Sequence, residues 1–465
     1  MPMKMLSTRS TWCPYVTWPR FLAAIAALLL AVIPAGRAQM APAADLVASG
    51  EQFVDWLVKS DFTKAVSLFD PTMQSALPEQ KLKQIWQTIQ QQAGPFQARL
   101  RTRKESSGGY YLVFVTCHFA QLDLDAKVVF DSQQRIAGLY FVPSQPAPQV
   151  ARHVKPERLI EKDFTVGSGE WSLPGTLTLP AAATRLLPAA VLVHGSGPND
   201  RDETILANKP FQDLAWGLAT KGIAVLRYEK RTRQYATKLV VTGIRQFTVK
   251  EESIDDAVSA VAQLRHTAGI DPQRIFIIGH SLGGTVAPRI AQADPKLAGL
   301  VILAGATRPL EDLMLEQTRY LLSLGGASAA EVQAKLEELA GEVARVKKLT
   351  AADADSAELI LHAPPPYWLD LRAHDPLVIA QSLHLPIFIL QGGRDYQVTE
   401  VDFAGWQQAL GAQPGVTCKL YPDLNHLFMT GQGKSRPSEY EHPGHVAESV
   451  IDDVAAWILK VKPAR

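Results

Sequence analysis

Cysteine is scarce, with three residues in a chain of 465, so a disulfide scaffold is excluded. Charge of one sign is also missing. Lys plus Arg number 47 against 46 for Asp plus Glu, a formal net charge of +1. The basic excess of a nucleic-acid binder is therefore absent. No apolar run reaches the ~20 residues that a membrane-spanning helix needs. What is present is the balance of a folded chain, 47% hydrophobic and 20% charged residues, with length for about two or three domains.

Residues 1–38 have the pattern of an export signal. Lys4, Arg9 and Arg20 precede an apolar run over residues 21–33, which Pro34 closes. Gly36 and Ala38 are small residues of the kind a signal peptidase requires. The pattern predicts cleavage after Ala38 and a periplasmic or secreted protein. The competing reading is an uncleaved N-terminal anchor. Cys13 lies before the apolar run and is no lipobox cysteine. Cleavage leaves Cys117 and Cys418, read as buried free thiols with their pairing left open.

Residues 46–142 read as a small α+β domain. Phe53, Trp56 and Leu57 share one helical face, and Leu82, Ile85, Trp86 and Ile89 share another. Strand-like runs follow at 110–119, 122–130 and 136–141. Asp123 and Asp125 fall on one strand face, which solvent-facing alternation would explain. A proline-rich linker covers residues 143–155.

From residue 156 to 465 short apolar runs alternate with helical patterns. The runs at 189–193, 222–226, 275–278, 300–303 and 387–390 lack polar alternation, as parallel strands covered on both faces do. The fold class is therefore α/β, a doubly wound and mostly parallel sheet preceded by the small α+β domain. Thr248 and Glu251 make a capping box for a helix whose apolar face is Ile254, Ala257, Val258, Val261 and Leu264. Residues 307–380 interrupt the alternation as a helical insertion, where a lid would sit. Its seam is Val332, Leu336, Leu339, Val343 and Val346, and Pro364-Pro365-Pro366 stops any helix before Tyr367 and Trp368.

The chemistry centres on Gly279-His280-Ser281-Leu282-Gly283, placed between an apolar strand and a helix-compatible run. This is a nucleophile elbow in its strand–turn–helix setting. A serine hydroxyl needs a base and the base needs an orienting acid. His426 and Asp395 each follow a predicted strand and complete the order Ser, Asp, His. Asp423 is the alternative acid. In His194-Gly195-Ser196-Gly197, after the strand at 189–193, the amide of Ser196 is the first oxyanion donor, with Gly195 as the near alternative. Leu282 supplies the second. His280 reads as packing. His374, His442 and His445 read as surface or lid residues, and Gly433-Lys434-Ser435 lacks the first glycine of a phosphate loop because Phe428 stands there. Arg201, Lys230, Arg231 and Arg233 read as solvated loop charge, with a substrate anion site as the other option. No metal or cofactor is required.

The catalytic part resembles the α/β-hydrolase superfamily, in particular bacterial serine esterases grouped with serine-aminopeptidase-like hydrolases. The residues that carry the resemblance are 194–202, Arg227-Tyr228-Glu229-Lys230-Arg231, Gly279 to Gly283, Gln391-Gly392-Gly393-Arg394-Asp395 and Asp423-Leu424-Asn425-His426. Relatives often carry Asp where Glu229 stands. The first domain resembles a cone-shaped domain fused to such hydrolases. The resemblance implies Ser281, Asp395 and His426 as the triad. The expected activity is hydrolysis of small carboxylic esters with short to medium acyl chains. A peptidase or thioesterase is the alternative on the same fold, and a ligand- or envelope-binding protein is the alternative outside it.

Overall fold

A computed structural model describes residues 44–107, 110–144, 150–151, 154–242, 246–326, 328–356 and 358–463. The expected signal segment, residues 1–38, lies outside the described residues, as does most of the expected linker. The chain divides into two compact units, Met1–Pro143 and Ser144–Arg465.

Among the described residues of the first unit four helices precede an antiparallel four-stranded meander, β1 (Phe96–Ser107), β2 (Tyr110–Phe119), β3 (Asp123–Phe130) and β4 (Ile136–Pro143). One sheet face supplies Val113, Val115, Cys117 and Phe119 to a core with Phe53, Leu57, Leu82 and Trp86 from the helices. Period-two alternation places these strand residues on one side. Strand β1 is not legible as a strand because its polar and basic residues offer no apolar alternation. Asp125 corrects the solvent-facing expectation: it is fully buried. Thr116 Oγ1 donates to its Oδ1 at 2.6 Å and Arg103 donates to its Oδ2 at 2.8 Å. Asp123 instead pairs with His118 at 2.6 Å near solvent.

The second unit is built on an eight-stranded sheet in the order β12-β11-β10-β9-β7-β8-β6-β5. Its strands are β5 (Leu159–Val166), β6 (Leu173–Pro180), β7 (Leu187–Val193), β8 (Ala224–Tyr228), β9 (Ile270–His280), β10 (Gly299–Leu303), β11 (Ile387–Gly392) and β12 (Val416–Tyr421). Strand β6 pairs antiparallel with β5 and β8, and the pairs from β8 to β12 are parallel. Strands β7, β8 and β10 are buried along their whole length. That is why they read as unbroken apolar runs.

The two sheet faces make two cores. Val191, Val193, Ile277 and Ile302 face Val261, Leu264, Val286, Ile290 and Trp406. Ala190, Leu192, Phe276, Ile278 and Val301 face Phe211, Leu218, Ile451 and Ile458. This is the expected doubly wound fold. Between β10 and β11 lie the helices Leu310–Ser323, Ala329–Lys348, Pro365–Arg372 and Pro376–Ser382. In the second of them Val343 and Val346 are buried. The proline triplet also begins a helix. Pro365 and Pro366 occupy its first turn, where a missing N–H costs nothing. Among the described residues no helix is long and apolar enough to cross a membrane. Cys117 is a buried free thiol in the first unit and Cys418 a half-buried one in the second.

Candidate active site

Every residue of the expected site follows the carboxyl end of a parallel strand. Ser281 follows β9, Asp395 follows β11, His426 follows β12, and the loop His194 to Gly197 follows β7. Open α/β sheets place their crevices at this edge.

Ser281 has φ +54° and ψ −119°, a conformation that L-residues adopt only when the surroundings impose it. The surroundings are close backbone. A Cβ on Gly279 would lie 2.2 Å from the Gly283 carbonyl O, and one on Gly283 would lie 2.1 Å from the Val193 carbonyl O. Glycine alone lets the strand, the turn and the helix Leu282–Ala293 pack this tightly. The turn raises the hydroxyl above the N-terminus of that helix, where the first N–H groups have no intrahelical acceptor. Leu282 carries the first of them.

His426 Nδ1 lies 2.6 Å from Asp395 Oδ2. The other carboxylate oxygen accepts the backbone N–H of Gln397 at 2.7 Å and of Val398 at 3.1 Å, and Gln391 Nε2 donates to Oδ2 at 3.2 Å. Asp395 is thus held as an acceptor. Its partner nitrogen carries the proton, and His426 Nε2 is left as the basic atom. Asp423, the alternative acid, is exposed. Among the described residues no hydrogen bond joins Ser281 Oγ to His426 Nε2. Nucleophile–base contacts are often loose before substrate binds. The elbow and the base loop are tied through the neighbouring residue, because His280 Nε2 donates to the His426 carbonyl O at 2.9 Å.

His280 therefore does more than pack. Its Nδ1 lies 2.8 Å from Glu203 Oε2, and Glu203 Oε1 accepts the Gly195 N–H at 2.6 Å. Both partners of the imidazole are acceptors. Burial opposes charge on His280, but the facing carboxylate and the carbonyl outweigh it and raise its pKa above the ordinary histidine value. Burial likewise opposes charge on Glu203, and His280 with the Gly195 amide holds its pKa below the usual value. With its N–H committed to Glu203, Gly195 is no longer open as the near alternative donor, and the amide of Ser196 remains.

The four basic residues expected as solvated charge are all engaged. Arg201 Nε lies 2.8 Å from Glu229 Oε1, and Arg231 pairs with Asp256. Arg233 reaches Glu229 at 3.4 Å. Lys230 is buried and donates to the Gly195 carbonyl O at 2.7 Å. Sequence reasoning missed Glu203 and Glu252, whose Oε1 lies 3.1 Å from Lys230 Nζ, and it read Lys230 only as loop charge or a substrate anion site. One signal existed for Lys230, a lysine two residues past a buried strand in the resemblance motif. His445 pairs with Asp213 at 3.0 Å.

Residues 50–139 match a family described as a protein of unknown function, DUF3887, and residues 207–433 match the family described as Serine aminopeptidase, S33. Esterase EstD of Thermotoga maritima is 39% identical over 409 residues, covering 88% of this chain and 94% of that protein. Among solved structures, an esterase of Pyrococcus furiosus is 16% identical with TM-score 0.42, covering 68% of this chain and 97% of that one. An acylaminoacyl peptidase of Pyrococcus horikoshii is 13% identical with TM-score 0.45, covering 78% and 56%. The length and identity of the match to Esterase EstD, on a doubly wound sheet with a nucleophile elbow, make this chain a hydrolase that belongs to the S33 serine-aminopeptidase-like family of α/β-hydrolases.

Proposed function

We propose that the protein is an exported carboxylesterase working through Ser281, His426 and Asp395. The observation that carries this reading is the fixed His426–Asp395 pair at the same sheet edge as the strained Ser281. In the mechanism, Ser281 Oγ attacks the ester carbonyl carbon while His426 Nε2 takes the hydroxyl proton. Asp395 stabilises the imidazolium that forms. The amides of Ser196 and Leu282 hold the tetrahedral oxyanion, each worth about 3–4 kcal/mol in acyl-transfer enzymes. The C–O bond breaks, His426 gives its proton to the leaving alcohol, and water repeats the cycle on the acyl-enzyme.

A buried apolar cluster includes residues next in sequence to the acid and the base. Tyr396, Leu427, Met429 and Tyr440 form an apolar cluster with Tyr320 and Leu321 against it. The substrate of this reading is an ester of short to medium acyl chain, as expected from the sequence. Ser281→Ala should remove hydrolysis of short p-nitrophenyl esters while the thermal transition is kept. A panel of ester, thioester and aminoacyl anilide substrates on the wild type should rank the ester first. Full turnover by Ser281→Ala ends the proposal, and preference for the anilide makes the enzyme a peptidase.

A further inference from the structure

Lys230 is 1% exposed. Its Nζ donates to the Gly195 carbonyl O at 2.7 Å and lies 3.1 Å from Glu252 Oε1. An ammonium is costly to bury unless it is paired and hydrogen-bonded, and here one of its partners is the oxyanion loop itself. The Gly195 carbonyl and the Ser196 N–H belong to one planar trans peptide and point in opposite directions. Fixing the carbonyl therefore aims the N–H. Asn199 Nδ2 holds the same oxygen at 3.1 Å. The preceding peptide is fixed too, by the Gly195 N–H on Glu203 Oε1 at 2.6 Å. This loop lies against the nucleophile. A Cβ on Gly195 would come 3.1 Å from Ser281 Cβ and 3.6 Å from Ser281 Oγ.

The cation also has an electronic effect. A positive charge on a carbonyl oxygen draws density from the amide nitrogen and strengthens its N–H as a donor, as in any polarised hydrogen-bond chain. The other end of the chain leaves the loop. Glu252 sits in a π-turn, Lys250–Ile254, and its Oε2 accepts the Tyr367 hydroxyl at 2.7 Å. Tyr367 belongs to the helix Pro365–Arg372 of the insertion between β10 and β11.

We propose that Lys230 is a positioning residue of the oxyanion hole: it fixes and polarises the Gly195–Ser196 peptide, and Glu252 and Tyr367 couple it to the inserted helices. The proposal deepens the esterase reading and rests on Ser281 as nucleophile and the Ser196 amide as donor.

The test is Lys230→Met in the full chain. It is measured with a p-nitrophenyl ester and with a trifluoromethyl ketone, whose serine adduct places an oxyanion in the hole. A transition-state device affects kcat and adduct affinity together and leaves substrate binding alone. The expected result is a fall in kcat of about ten- to a hundredfold, an unchanged KM, and an equal fall in ketone affinity. Lys230→Arg should restore part of both. Glu252→Gln and Tyr367→Phe should lie on the same line of log kcat against log ketone affinity, with smaller steps. A purely structural lysine would lower the melting temperature and leave kcat and ketone affinity at wild-type values, and that outcome overturns the proposal. Should Lys230→Met fail to fold, the Glu252 and Tyr367 variants decide on the same line, and a loss of kcat without loss of ketone affinity overturns it. Ser281→Ala is run beside them. Its retention of turnover would remove the esterase reading, whereas its inactivity next to an indifferent Lys230→Met would remove only the role of the lysine.

Discussion

His194 sits between Phe211 and Tyr228, with ring centroids 5.0 and 5.5 Å away. Burial pushes its pKa from 6.5 down to about 4, so the folded protein holds a neutral imidazole where an unfolded histidine would charge. Between those values the unfolded chain binds a proton that the folded chain refuses. Stability therefore falls with falling pH across that window and is flat, for this group, below it. The full effect is about 3 kcal/mol. Urea unfolding of wild type and His194→Phe should show a shallower acid slope in the variant, which keeps an aromatic ring between Phe211 and Tyr228 and has nothing to titrate. Equal slopes would remove His194 as the cause. Single residues were also where the sequence was hardest to read. Ser281, Asp395 and His426 stood out because each follows its own strand. Lys230 and Glu203 did not, because their partners on the Gly195 peptide are brought to them only by the finished fold.

At the scale of elements, the carboxyl end of β9 joins two loops. Through His280 it grips the base loop, and through Glu203 it grips the oxyanion loop. The elbow itself was legible because steric necessity writes glycine at Gly279 and Gly283, whereas the buried Glu203–His280 pair has no sequence spacing to betray it. Strand β1 was obscured for a related reason, since its arginines belong to a face whose buried member, Asp125, is on another strand. Removing one partner of a buried pair costs about 3–5 kcal/mol. Glu203→Leu should lose stability of that order in denaturant titration. Glu203→Gln should lose less, because its amide can donate to a neutral His280. Because the pKa of His280 is raised, the stability it contributes is complete below the ordinary histidine value of 6.5 and is lost as pH rises through the folded value. Glu203→Gln should lack that alkaline loss. A variant as stable as wild type with the same alkaline limb would show that the pair carries no charge.

At the scale of the whole molecule, two units each close a core of their own, one around Phe53, Trp86 and Phe119 and one on both faces of the eight-stranded sheet. Strand and helix alternation made the larger unit legible, and helical spacing followed by a meander did the same for the smaller. The role of the smaller unit was not legible, because the buried polar side chains among its described residues, Thr116 and Asp125, are satisfied within its own sheet. The proposed export belongs to this scale, since it concerns where both units would work. Mass spectrometry of protein recovered outside the cytoplasm should give Gln39 as the first residue. A chain that retains Met1 would favour the N-terminal anchor.

The groups of the proposed triad and oxyanion hole come from the ends of β7, β9, β11 and β12, and every connection between those strands must be complete before the groups meet. Contacts of such long sequence separation form slowly and late. Catalysis is therefore the last property the chain acquires as it renatures. Ester turnover should return after helical and sheet signals have recovered, which makes enzymatic rate a more stringent gauge of native register than any spectrum of backbone content.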